Sequence, residues 1–109
     1  IPFEIKRVFY VYGVRDEERR GKHAHYNTQQ VLICLYGKVE VIVKDGLKEK
    51  RYLLESPQQA LYIPEMIWDE QVYRSEETAL LVLSNTRYDP SDYIHNFESF
   101  KLMKAKNEN

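Results

Sequence analysis

A single cysteine, Cys34, excludes an internal disulfide framework and a cysteine-based zinc site. Set inside "VLICL", it reads as a small buried apolar residue. Charge of one sign is also lacking. The 16 Lys and Arg nearly cancel the 17 Asp and Glu, so no overall field draws the chain to nucleic acid or an acidic membrane, and an anionic ligand must be met by a local cluster. No apolar run approaches the roughly 20 residues of a membrane span. Glu4, Lys6 and Arg7 interrupt the apolar N-terminus in a way that a signal peptide does not. These absences point to a soluble, cytoplasmic protein without a membrane or nucleic-acid partner. The chain opens on "IPFEIKRVFY", already strand-like and without an initiating methionine, which leads us to expect a preceding segment. A chain of 109 residues can bury one core, and a single domain over 1–109 is expected.

Aromatic and β-branched residues are plentiful, nine tyrosines among them, while glycine and proline are few and sit at punctuation points. Segment 3–12 alternates, with Phe3, Ile5, Arg7, Phe9 and Val11 on one side and Glu4, Lys6, Val8, Tyr10 and Tyr12 on the other. Strands are also expected over 23–26, 30–36, 39–44, 49–55 and 60–63, and within "IWDEQVY" and "TALLVLSN". "DGLK" at 45–48 is a hairpin signal, and Pro64 favours a bend. The tail changes character. Asp89 or Ser91 can cap near Pro90, and Phe97, Phe100 and Leu102 or Met103 recur at helical spacing, with Lys101, Lys104 and Lys106 where a helix dipole favours cations. Short strands without intervening helices imply an all-β fold, a small jelly-roll barrel with a short C-terminal helix.

"GKHAHYNTQQVLICLYG" carries the chemistry. Side chains two apart on a strand share a face, so His23 and His25 converge if the segment is extended. Four residues separate His25 from Gln30, and six more lead to Gly37. This spacing resembles the first signature of the cupin superfamily, in whose metal-binding members the position of Gln30 is Glu. "PEMIWDE" fits the second signature in part, with Met66 where Gly is usual and Asp69 where the last ligand is usual. An amide oxygen brings no charge to a divalent metal. His23, His25 and Asp69 alone could make a two-histidine, one-carboxylate site, but the reading adopted is no metal and no cofactor. Two imidazoles that titrate near neutrality can accept and donate protons without one.

"IPFEIKRVFYVYGV", "RGKHAH", "QQVLICLYGKVEV", "SPQQALYIP", "IWDE" and "ALLVLSNTRYDPSDYI", in that order, resemble the sugar 3,4-ketoisomerase family of cupins along nearly the whole chain. The resemblance implies a metal-free isomerase of thymidine diphosphate (TDP)-linked 4-keto-6-deoxyglucose, in nucleotide-sugar biosynthesis for surface polysaccharide, and a homodimer with strand exchange. It implies proton transfer by His23 and His25 and ligand binding by Arg20. Arg15, Tyr12, Tyr62, Gln30 and Asp69 complete the candidate substrate site. Asp69 stands where the family often has another histidine, and His95 where it often has arginine. Asp69 beside the pair would favour imidazolium and raise a histidine pKa, and His95, after the barrel, is expected to be structural or on the surface. The residues alone leave open a metal-dependent cupin enzyme and a non-catalytic sugar-nucleotide binding module.

Overall fold

The computed structural model describes residues 1–107. Nine strands form in order: β1 (Arg7–Val11), β2 (Arg19–His25), β3 (Gln30–Tyr36), β4 (Val39–Lys44), β5 (Glu49–Leu54), β6 (Leu61–Ile63), β7 (Trp68–Tyr73), β8 (Ala79–Ser84) and β9 (Tyr93–Ile94), followed by α1 (Phe97–Asn107). They make a four-stranded sheet, β1-β8-β3-β6, and a five-stranded sheet, β5-β4-β7-β2-β9. The pairings are antiparallel throughout. Partners such as β1 with β8 and β2 with β7 are distant in the chain, as a jelly roll requires.

Alternation decides what each sheet turns inward. Leu32, Cys34, Val39, Val41, Leu54, Ile63, Tyr73, Leu80 and Val82 fill the space between the sheets, burying the apolar stripe that each half-buried strand carries. The β4–β5 hairpin closes as its sequence predicts: Gly46 takes φ +101°, and Asp45 Oδ1 accepts from the backbone N–H of Leu47 and Lys48 at 2.8 Å each. A second, smaller core lies outside the five-stranded sheet, where Phe100 of α1 packs with Ala24, Trp68 and Ile94.

Three segments depart from the sequence-based expectation. The strand expected over 3–12 contracts to β1, and the strand expected over 23–26 lengthens to β2. The C-terminal turn and helix are separate. Asp89 caps a one-turn 3-10 helix at Pro90–Asp92, where proline suits the first turn, and its Oδ1 accepts from Ser91 N at 3.0 Å. β9 then pairs with β2, and Asn96 Oδ1 accepts from Ser99 N at 2.9 Å at the start of α1.

Candidate active site

The two sheets enclose a cavity of about 150 Å³ lined by Phe9, Val11, Gln30 and Val82 from one side and by Arg20, Gly21, His23, Gln71, Tyr73 and Tyr93 from the other. A break in strand register places these polar groups together. β2 pairs with β7 through Arg20↔Gln71 and Gly21↔Glu70, then skips Lys22 and resumes with His23↔Asp69. Gly21 and Lys22 both take positive φ, +84° and +59°. This bulge shifts the parity, so Arg20, His23 and His25 all face inward although a regular strand would send Arg20 outward. A Cβ at Gly21 would sit 3.2 Å from both Asp69 O and Asp69 Oδ1.

The histidine rings meet edge to face, with centroids 5.0 Å apart, and Tyr93 lies 4.5 Å from His25 and 5.1 Å from His23. His25 is buried, and its Nε2 has no hydrogen-bond partner among the described residues. Burial, with each histidine close to further cationic or imidazole groups, lowers both pKa values to about 4. The pair is therefore neutral at physiological pH and ready to accept a proton.

Asp69 is fully buried. Gln71 Nε2 donates to its Oδ1 at 3.2 Å, and Tyr73 OH donates to Gln71 Oε1 at 3.0 Å. Its Oδ2 has no hydrogen-bond partner among the described residues and lies 3.9 Å from His23 Nε2. The expectation that Asp69 would raise a histidine pKa is corrected here. Desolvation dominates on both sides: it lowers the imidazoles and raises Asp69 itself to about 7.

These shifts predict an acid-side stability profile. Between about pH 6.5 and pH 4 the unfolded chain protonates both histidines and the native chain neither, which costs stability as pH falls. Native Asp69 takes a proton from about pH 7 downward, while the unfolded carboxyl waits until pH 3.8, which adds stability. The net loss corresponds to one proton, about 1.4 kcal/mol per pH unit. Asp69→Asn removes the compensation, so urea titrations at stepped pH should show a slope about twice as steep. An unchanged slope would show that Asp69 is ionised in the native protein.

The sequence-predicted residues divide by position. His23, His25, Gln30, Asp69 and Arg20 come together; Gln30 Nε2 donates to Ser84 Oγ at 3.4 Å, and Arg20 lines the cavity while reaching solvent beside Glu18 at 3.7 Å. Tyr12 and Tyr62 do not reach the cavity of this chain. Tyr12, just past the end of β1, is exposed, and Tyr62 follows the outward parity of β6, its OH donating to Gln29 Oε1 at 2.9 Å. Arg15 lies exposed in the β1–β2 connection. His95 is exposed, stacked on Tyr93 with centroids 5.5 Å apart and 6.3 Å from His23. Among the described residues, no group of three or more His, Cys, Asp or Glu is arranged to hold a metal ion.

Sequence reasoning missed Gln71, Tyr73 and Tyr93 as lining residues. It gave no role to Arg7, which sits on the apolar face of an alternating strand and whose charge reaches His25. Residues 1–105 match the family described as FdtA: WxcM-like, C-terminal. The chain belongs to this family. It is 42% identical over 106 residues to TDP-4-oxo-6-deoxy-α-D-glucose-3,4-oxoisomerase of Aneurinibacillus thermoaerophilus, covering 97% of this chain and 76% of that one. QdtA, a sugar 3,4-ketoisomerase of Thermoanaerobacterium thermosaccharolyticum solved with TDP, superposes with TM-score 0.94 at 40% identity, over 98% of this chain and 78% of that one. WlaRA, a TDP-fucose-3,4-ketoisomerase of Campylobacter jejuni, gives TM-score 0.91 at 40% identity, over 94% and 76%. The FdtA-family assignment agrees with the cupin-like architecture and with an inward-facing His-x-His on β2.

Proposed function

We propose that this chain is a 3,4-ketoisomerase of TDP-4-keto-6-deoxyglucose that moves protons between C3 and C4 through His23 and His25. The observation that carries the reading is a pair of neutral imidazoles: His23, half-buried, lines a cavity edged by an arginine, and His25, buried beside it, has an unpartnered Nε2. A histidine-to-asparagine variant of QdtA has been solved with TDP-4-keto-6-deoxyglucose, and that protein resembles this one over 97% of this chain.

His25 is the base. Its Nε2 is free to take the C3 proton, the C3–H electron pair becomes the C3=C4 bond, and the C4 carbonyl oxygen becomes an enolate. A proton passes from O3 to O4 by way of His23, which lines the cavity. His25 returns its proton to C4 as C3 becomes the ketone. Arg20 and the amide of Gln30 supply donors for the oxygen that carries charge. The reaction is redox-neutral overall, so these residues account for it without an added oxidant.

Incubation with the 4-keto sugar nucleotide in deuterated water, followed by proton NMR, should show deuterium at the reacting carbons and a 3-keto isomer. No exchange with retained TDP binding would identify a non-catalytic binding module instead. Turnover that disappears with chelator and returns with added metal would identify a metal-dependent enzyme.

We further propose that the working unit is a homodimer with strand exchange. The outer face of the four-stranded sheet exposes Val8, Tyr10, Leu35 and Tyr62, an apolar surface on the side opposite the core. β1 forms one edge of that sheet, with one side unpaired among the described residues. Light scattering should give twice the chain mass, and Tyr10→Arg should shift the equilibrium to monomer. A monomeric parent at micromolar concentration would overturn the proposal.

A further inference from the structure

Asp69 is a carboxyl group sealed behind the cavity wall. It has no exposed surface and is not among the residues lining the cavity, whereas its neighbours His23, Gln71 and Tyr73 are. Gly21 makes room for it, since a side chain there would press on Oδ1. Burial raises the Tyr73 pKa, so that hydroxyl keeps its proton and donates to Gln71 Oε1. The Gln71 amide nitrogen is thereby turned toward Asp69 Oδ1, to which it donates at 3.2 Å. Oδ2 is left without a hydrogen-bond partner among the described residues, and His23 Nε2 lies 3.9 Å away.

Oδ1 is thus committed as an acceptor, and a buried carboxylate whose second oxygen is bare is costly. A proton on Oδ2 removes that cost, and burial accordingly raises the Asp69 pKa to about 7. The surrounding ionisable groups supply no counter-charge. On β7, Glu70 is occupied by Trp68 Nε1 at 2.9 Å, Arg19 at 2.6 Å and Lys44 at 3.4 Å. β2 presents His23, with His25 and His95 beyond its ring, while Arg20 turns to Glu18. β4 meets Asp69 with Val43.

The proposed reaction has a use for this proton. When His25 takes the C3 proton, negative charge grows on O4 between the two sheets, where charge is poorly solvated. Moving the O3 proton to O4 only transfers that charge to the neighbouring oxygen. One further proton gives a neutral enediol. Oδ2 gives up its proton as His23 delivers one to O4, leaving the enediol, a protonated His25 and an ionised Asp69. His25 then protonates C4 with the C=C electron pair, the O3–H pair becomes the C3 carbonyl, and the O3 proton returns through His23 to Oδ2. No proton is gained or lost over the cycle.

We infer that Asp69 is a positioning residue for isomerisation that acts through His23: its Oδ2 stores the proton that His23 passes to O4 and recovers the one that His23 takes from O3. This role rests on the isomerase reading of the site.

Asp69→Asn keeps the shape and the acceptor for Gln71 but carries no acidic proton. It should lower kcat about 10²-fold and leave KM near that of the parent. Deuterium entry at C3 should fall less than product formation, because His25 still removes the C3 proton. The parent's kcat should decline as pH rises through about 7, where Oδ2 loses its proton, and that limb should be missing from Asp69→Asn. A merely structural role would lower kcat and keep the limb. Infrared spectra of the parent should show a carboxylic acid C=O band that titrates over the same range and is absent from Asp69→Asn. An unchanged rate and pH profile in Asp69→Asn, or a parent without the band below pH 7, would overturn the role of Asp69 alone. If Asp69→Asn does not fold, the parent's band and alkaline limb carry the test, and absence of either overturns the role. A parent without turnover would overturn the isomerase reading and this role together.

Discussion

His25→Asn should lower kcat for isomerisation by about 10²- to 10⁴-fold, the range for loss of a positioned acid–base group, while TDP binding stays within a few-fold of the parent. The imidazole is 4% exposed, its Nε2 is unpartnered, and Tyr93 packs against the ring. Asparagine keeps much of the shape and a polar end but cannot take a proton near neutrality. The comparison with His23→Asn is informative. His23 lies beside Asp69 and lines the cavity, and in the proposed scheme it moves protons between oxygens, a step that solvent can partly supply. His23→Asn should therefore retain more C3 deuterium exchange than His25→Asn. Steady-state kinetics and NMR exchange on the same samples check both. Faster exchange in His25→Asn than in His23→Asn would reverse the assigned roles.

Gly37→Ala should destabilise the fold by about 3 kcal/mol or more, from backbone strain and overpacking together. Against the 5–15 kcal/mol typical of a whole domain this is a large loss. Gly37 has φ +80°, and a Cβ there would meet Thr78 Oγ1 at 2.5 Å, Thr78 Cα at 2.7 Å and Thr78 N at 3.0 Å. Thr78 cannot easily withdraw. It is 1% exposed, and its hydroxyl accepts from Lys38 N at 3.1 Å and donates to Lys38 O at 2.9 Å. The expected fall in melting temperature is roughly 10–25 °C for a domain of this size. Gly13→Ala is the control, since Gly13 also has positive φ, +70°, but no atom lies within 4 Å of its added Cβ. It should show the backbone cost alone, about 1–2 kcal/mol. Equal losses at the two positions would mean that the contact with Thr78 contributes nothing.

Local signals were legible where one segment determines its own structure. The Asp45–Gly46 hairpin closes by bonds within four residues, and the alternation of Val39, Val41 and Val43 points one face of β4 inward. That His23 and His25 share a face followed from their separation by two. The site residues Gln71 and Tyr73 were not legible, because an alternating polar strand does not state which face meets a cavity. Tyr62 illustrates the same limit from the other side: it is an aromatic residue near a signature segment, yet strand parity turns it outward. β9 was missed because two residues, Tyr93 and Ile94, carry no periodic pattern and become a strand only when β2 offers an edge.

By itself the sequence determined an all-β chain with a histidine pair on one strand face, because alternation and turn chemistry are local and repeat along the chain. The tertiary structure decided which charged groups join that pair and in what protonation state. The bulge at Gly21 and Lys22 turns Arg20 inward, strand pairing brings Arg7 to the His25 end, and burial by both sheets neutralises the imidazoles and raises Asp69. Desolvation and register are set by segments far apart in the chain, so no single stretch of sequence contains them.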